Sequence, residues 1–358
     1  MQTIGWGIIG YGVIGPHHAR AITRASGAEL VAVCDVDRRR EKALREHGYT
    51  VPFYTSVREM LRREPRVQAV SLCTPSGLHH AGAIEAARAG RHVLCEKPLD
   101  ICLDHMDRMI EACARAGVKL GCIFQKRTQT DSILARRAIQ GRLIGRLIMG
   151  DCVQKYYRAP AYYRTAGWRG TWALDGGGAL MNQAVHGIDL LLWLMGDVAS
   201  VFTYSDHLVR KIEVEDTSVS VVKFKNGALG SIIGTTSVVP GQGIETMIHG
   251  DKGTITLGNG PLKCWTSTLV KGAHEVREID LAARFKPGKA AASRDTVASD
   301  NTAVALDGHT IQVQDLCDAI RRDREPMIPG REARRSVELI LAIYQSWKTR
   351  KEVRLPLR

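Results

Sequence analysis

The sequence predicts an α/β, doubly wound parallel sheet, followed by an α+β domain with a large, mostly antiparallel, open-faced sheet. Three observations predict it. Up to residue 124, apolar β-rich runs alternate with helical patterns, the rhythm of a parallel sheet. Beyond that point several β-rich runs follow one another without helices between them, which favours antiparallel pairing. The chain has 358 residues, more than one core commonly serves. The expected domains are 1–124 and 125–358, with a C-terminal helix at 332–349 packing back towards the first.

The elements of the first domain can be taken in order. Ile4-Gly5-Trp6-Gly7-Ile8-Ile9 is a β-rich run that leads into Gly10-Tyr11-Gly12-Val13-Ile14-Gly15. A helical pattern covers 16–25, and a second strand at 29–34 ends at Asp35. Strand, glycine turn, helix, strand and acid form the order of a Rossmann dinucleotide-binding unit. Gly10 allows the tight turn, Gly12 lets backbone approach a pyrophosphate, and Gly15 lets helix and strand pack closely. The helix N-terminus then offers unpaired N–H groups to phosphates. Asp35 can accept from both ribose hydroxyls and would repel a 2′-phosphate, so NAD is expected over NADP. Arg38, at the head of an arginine run, is the candidate for an adenine or phosphate contact.

Helices are expected at 56–63, 78–89 and 101–116, and strands at 69–73, 93–95 and 119–124. Ligands bind outside the carboxyl ends of such strands. Thr74 and Pro75 follow one strand end, with His79 soon after. Glu96-Lys97-Pro98 follows the next. These residues join Tyr11, Val13 and Ile14 as candidate cofactor contacts. Lys97 can also touch a substrate hydroxyl beside a nicotinamide ring.

The second domain opens with a helix at 131–140 and a strand at 147–155. An irregular aromatic segment fills 156–172. Gly176-Gly177-Gly178 leads into a helix expected at 179–195. Strands are expected at 200–206, 217–225, 228–236, 244–250 and 254–257, a loop at 281–305, and helices at 312–322 and 332–349. Asn182 and His186 are four apart and share a helix face. His186 can take a proton from a substrate hydroxyl as hydride leaves. Gln183 flanks the pair, and Gln125, Arg127 and Arg169 complete the candidates for substrate contact.

Composition narrows the function. The net charge is +13, with most of the excess beyond residue 125. The basic residues are scattered, without a long run or interleaved aromatics, so no nucleic acid is expected. An anionic small substrate suits the charge better. No apolar stretch approaches the ~20 residues of a membrane span, so no membrane partner is expected. A strand read from residue 3 leaves no room for a leader, and a cytoplasmic protein is expected. Nine cysteines without paired spacing read as buried free thiols, and no metal site is expected.

Together, Gly10–Gly15, Thr74-Pro75, Glu96-Lys97-Pro98 and Gly176–Gly178 through His186-Gly187-Ile188-Asp189 resemble the Gfo/Idh/MocA family of NAD(P)-dependent sugar and cyclitol dehydrogenases. The resemblance runs over essentially the whole chain, with the motifs in order. It implies that Lys97 holds the reacting hydroxyl, that the peptide before Pro98 is often cis, and that His186 is the general acid/base. Many members carry aspartate where this chain has Asn182. Tyr162-Tyr163, Gly167–Trp172, Met181-Asn182-Gln183 and Ile212–Asp216 are similar to the branch of UDP-N-acetylglucosaminuronate 3-dehydrogenases. That branch implies oxidation of a sugar C3 hydroxyl, with a free monosaccharide, glycoside or inositol as the alternative substrate. A homo-oligomer, dimer or tetramer, is implied, pairing through the open face of the second sheet. Relatives that act as non-catalytic nucleotide sensors typically lose the lysine or histidine, and both are present here.

Overall fold

The computed structural model describes residues 3–270, 273–285 and 306–357. The chain divides into two compact units, 1–125 with 302–337, and 126–301 with 338–358. Among the described residues no helix is long and apolar enough to cross a membrane.

The first unit begins with β1 (Ile4–Ile9), α1 (Gly15–Arg24), β2 (Ala28–Cys34), α2 (Arg40–Glu46), β3 (Phe53–Tyr54) and α3 (Val57–Arg63). It continues with β4 (Val67–Leu72), α4 (His79–Arg88), β5 (His92–Cys95), α5 (Leu103–Arg115) and β6 (Leu120–Cys122). The strands form one parallel sheet in the order β3-β2-β1-β4-β5-β6. Every residue of β1 is buried, as a strand with helices over both faces requires. The winding reverses between β1 and β4, which places the ligand crevice outside their carboxyl ends.

The second unit contains α6 (Thr130–Gln140), β7 (Leu147–Lys155), α7 (Pro160–Arg164), α8 (Val185–Met195), β8 (Val198–Asp206), β9 (Thr217–Phe224) and β10 (Leu229–Thr235). There follow β11 (Gly243–Gly250), β12 (Gly253–Leu257), β13 (Lys263–Val270), β14 (Ala273–Glu278) and α9 (Leu281–Phe285). After α10 (Leu306–Arg321) and α11 (Gly330–Thr349), β15 (Val353–Arg354) closes the chain. Nine strands pair in the order β14-β13-β12-β11-β7-β10-β9-β8-β15, antiparallel except for β7 with β10.

This sheet is one-sided. On β9, Ser218, Ser220, Val222 and Phe224 turn inward. The apolar helix α8 packs against β7 and β11. The opposite face carries Val219 and Val221 on β9, Tyr204 on β8 and Leu229 on β10, with Tyr204 75% exposed. Tyr204 pairs with Val219 across the ladder, and Phe202 with Val221.

Three expectations change. The segment 302–337 belongs to the first unit, because Val313, Leu316 and Cys317 of α10 share an apolar core with Trp6, Ala19 and Ile22. The division falls inside α11. Residues 281–285, read as loop, form a short helix, while 286–305 lie outside the described residues. The helix expected from 179 starts as a π-helical turn, Ala179–Ala184, before α8. All nine cysteines are free, and only Cys102 is not fully buried.

Candidate active site

In the first unit the glycine turn follows β1 directly. Gly10 has φ +92°, and a Cβ there would meet the Cys73 carbonyl carbon at 2.7 Å, so both conformation and space demand glycine. Tyr11 turns its ring into the core and presents only its N–H, which donates to Asp35 Oδ2 at 2.7 Å. Asp35 Oδ1 accepts the N–H of Asp37 at 2.9 Å. Each oxygen keeps a lone pair, so the carboxylate can still receive ribose hydroxyls. Gly12 is half-buried, Val13 is exposed, and Ile14 leads into α1 from Gly15. Arg38 is 74% exposed and lies 3.7 Å from Glu41, while Arg39 is bidentate on Asp37. The acid and glycines thus fit NAD, whereas the arginines are drawn to neighbouring carboxylates. At the end of β4, Thr74 Oγ1 is buried without a hydrogen-bond partner on the rim where a dinucleotide would lie. Pro75 follows it and leads into the turn Ser76–Leu78.

The loop after β5 is fastened from beneath. Lys97 is half-buried, and its peptide to Pro98 is cis. Glu96 and His79, expected at the cofactor, turn inward instead. Glu96 Oε1 accepts from His18 Nε2 at 2.8 Å and from His309 Nε2 at 2.9 Å, and Oε2 accepts the Lys97 N–H at 3.1 Å. Burial opposes its charge, yet the two histidines hold the Glu96 carboxyl well below its ordinary range. Burial also pushes the His18 pKa down. The ring nitrogens of His79 lie 2.9 Å from the Pro98 carbonyl and 3.0 Å from that of Thr74, so both face backbone and the neutral ring donates to one of the two. Burial lowers its pKa too.

Beyond the proline, Asp100 is fully buried. It accepts the N–H groups of His80, Ile101 and Cys102, and it bonds the rings of His80 and His105. It therefore ties together the starts of α4 and α5. Neither His18, His309 nor Asp100 stood out in the sequence: Glu96 lies 78 positions from His18 and 213 from His309, and Asp100 draws on His80, 20 positions back, and on backbone as well as on nearby His105.

The second unit builds the histidine differently. Gly178 has no room for a side chain, since a Cβ would run into the Glu215 carbonyl oxygen. The Glu215 carboxylate is buried against the opening turn. It accepts from Gly178 N–H at 3.0 Å, Leu180 N–H at 2.8 Å and Tyr344 OH at 2.9 Å. These are otherwise orphaned helix-start donors. Burial raises its pKa to about 7 against those bonds. The π turn has more residues per turn than an α-helix, and such turns recur at functional sites. It sets Asn182, Gln183 and His186 as half-buried residues on a helix that is otherwise nearly all core.

Around them Asn182 Nδ2 donates to Asp175 Oδ1 at 2.5 Å, and Gln183 Nε2 donates to Asn182 Oδ1 at 2.7 Å and to Tyr162 OH at 2.9 Å. Arg169 donates to Tyr162 OH and lies over its ring, with 4.2 Å to the centroid. Arg127 is corrected as a substrate contact. It is 5% exposed and bidentate on Asp189, both bonds 2.7 Å, beneath Trp193. That buried pair braces α8 from within. Gln125 is half-buried, at the start of the turn Gln125–Thr128.

A doubly wound sheet with this glycine turn, acid and rim lysine defines an NAD-dependent oxidoreductase acting on hydroxyl groups. Residues 4–124 match the oxidoreductase family with an NAD-binding Rossmann fold, and residues 133–256 match the GFO/IDH/MocA C-terminal domain. The chain belongs to the Gfo/Idh/MocA family, as a sugar or cyclitol oxidoreductase. It is 34% identical to the WlbA dehydrogenase of Bordetella pertussis, solved with NADH and UDP-GlcNAcA, with 100% of both chains covered and a TM-score of 0.84. Against the WlbA dehydrogenase of Chromobacterium violaceum, solved with the same two ligands, identity is 33%, coverage 100% and 97%, and the TM-score 0.85. It is also 30% identical to the myo-inositol 2-dehydrogenase of Thermotoga maritima, over 71% of this chain and 75% of that protein.

Proposed function

We propose that the protein oxidises the C3 hydroxyl of a UDP-N-acetylglucosaminuronate-type nucleotide sugar. The observation that carries this reading is likeness over 100% of this chain, and 100% and 97% of theirs, to two dehydrogenases solved with NADH and UDP-GlcNAcA. In this reading Gly10, Gly12, Gly15, Asp35 and Thr74 hold NAD, which when bound accepts the hydride. Lys97 donates a hydrogen bond to the reacting oxygen and offsets the charge that develops on it. His186 accepts the hydroxyl proton through a ring nitrogen. Asn182, Gln183 and Arg169 bind and orient the sugar. Asn182 cannot hold charge, so the proton work falls to His186 and Lys97. Glu96 and His79 act through Lys97, as positioning residues.

A second reading is oxidation of a cyclitol, favoured by the myo-inositol 2-dehydrogenase relative. The two separate in one assay. Protein mixed with NAD and UDP-N-acetylglucosaminuronate is expected to form NADH, with 2-oxoglutarate in a parallel sample to reoxidise tightly held cofactor. Turnover of myo-inositol with none of the nucleotide sugar would replace the first reading by the second. We further propose a homo-oligomer through the open sheet face, supported by exposed Tyr204, Val219, Val221 and Leu229. A monomer in light scattering would refute it.

A further inference from the structure

We infer that Arg158 and Arg169 form an oxyanion subsite in the second unit, which takes a carboxylate or phosphate of the substrate. The inference deepens the proposed function and rests on its premise that the residues around His186 receive the sugar.

Both guanidinium groups gather on one tyrosine. Arg158 lies 5.6 Å from the Tyr162 ring centroid and Arg169 lies 4.2 Å from it. Each also stacks on a second aromatic ring, Arg158 on Tyr156 at 5.1 Å and Arg169 on Trp168 at 4.9 Å. Their hydrogen bonds go to neutral acceptors. Arg158 donates to Gln183 Oε1 at 2.8 Å and to the Tyr157 carbonyl at 3.4 Å, and Arg169 donates to Tyr162 OH. Tyr162 gives no countercharge, because burial pushes its hydroxyl pKa up to about 12. The nearby carboxylate is Asp175, and it receives the Gly170 N–H at 2.8 Å and the Asn182 amide. Neither arginine has a carboxylate within ion-pairing distance among the described residues, unlike Arg39, Arg45 or Arg127.

The Nε atoms point the same way. On each arginine this atom is shielded from water and has no hydrogen-bond partner. Burial of Nε against the aromatic rings fixes each guanidinium, and the two half-buried side chains meet an oxyanion through their terminal nitrogens. A planar guanidinium fixed by stacking is already set for a planar or tetrahedral oxyanion. Gln183 links this pair to the helix turn that carries Asn182 and His186, so a ligand anchored here lies beside the proposed base.

Calorimetric titration of NADH-loaded protein tests this with UDP-N-acetylglucosaminuronate, UDP-N-acetylglucosamine, UDP, glucuronate and glucose. Wild type should bind the oxyanion-bearing member of a pair about tenfold or more tightly than its neutral counterpart. Arg158→Gln and Arg169→Gln should each remove most of that preference, with Arg169→Lys restoring part of it. A preference between the two UDP sugars, and between glucuronate and glucose, assigns a carboxylate. Equal losses for both UDP sugars and UDP assign a phosphate. Folding is checked by melting, and Arg169→Lys keeps the test open if a glutamine variant does not fold. Folded variants that keep wild-type affinity for every ligand overturn the subsite, as does a wild type that binds none of these anions. If the acid binds through these arginines but no NADH forms, the substrate reading fails and the subsite stands. If NADH forms at unchanged KM in both variants, the subsite fails and the substrate reading stands.

Discussion

Lys97 and His186 are held by opposite means. The lysine loop is fastened by buried side chains that bond one another, with Glu96 between two histidines below it and Asp100 beyond the proline. The histidine turn is fastened by one buried carboxylate acting on backbone, where Glu215 receives the N–H groups of Gly178 and Leu180. The first arrangement favours an ionised carboxylate and the second opposes one. Glu96 lies well below its ordinary value of 4.5, while Glu215 rises to about 7. A residue fixed by cross-bonded side chains is vulnerable to acid, and one fixed through a reluctant carboxylate is vulnerable to base.

The sharpest break in that comparison comes from the two residues proposed to act on the substrate. Lys97→Ala should lower turnover by roughly a thousandfold or more, with melting temperature little changed, as read from the rate of NADH formation. His186→Ala should cost about a hundredfold to a thousandfold in the same assay. Near-normal turnover in either variant would remove that residue from the chemistry. Next in size, Glu96→Ala strands two buried histidines and should cost ~3–5 kcal/mol in urea denaturation. A loss under ~1 kcal/mol would show that the loop is held by something else.

The pH signs then sharpen it. Glu96 has a depressed pKa in the folded chain, so its stabilisation is present above about 4.5 and is lost as pH falls below that. Glu215 has a raised pKa, so its contribution is full below 4.5 and is lost as pH rises through about 7. Hydrogen exchange, corrected for intrinsic rates, should show Lys97 N–H opening in acid and the N–H groups of Gly178 and Leu180 opening towards pH 8. Glu215→Gln should flatten the second trend and leave the first intact. The smallest effect is at the exposed arginine. Arg38→Gln should change NAD affinity by less than about threefold, since its exposed pairing with Glu41 is weak.

The same contrast governs how much the sequence reveals. The first sheet was legible because its strands are buried on both faces, and alternation of strand and helix leaves one sensible winding. The places of the glycine turn after β1, Asp35 after β2 and Lys97 after β5 were legible because each motif has fixed local spacing. His79 and Glu96 were placed at the right loops but with the wrong partners, since nothing local says that a side chain turns inward. His309 reaches Glu96 across 213 positions, and α10 joins the first unit by the same long return. The π turn was hidden because its extra residue leaves the apolar pattern of 179–195 looking helical. Arg127 and Arg169 looked alike in sequence. Only the structure separates a guanidinium spent on Asp189 from one without a carboxylate partner among the described residues.

The central claim is hydride transfer from a sugar hydroxyl carbon to NAD. The most direct test uses UDP-N-acetylglucosaminuronate carrying deuterium at the sugar C3, with mass spectrometry of cofactor and sugar after single turnover. The account predicts deuterium on the reduced nicotinamide and a keto sugar that has lost it. NAD bound by the protein but free of deuterium, with the sugar unchanged, would contradict it.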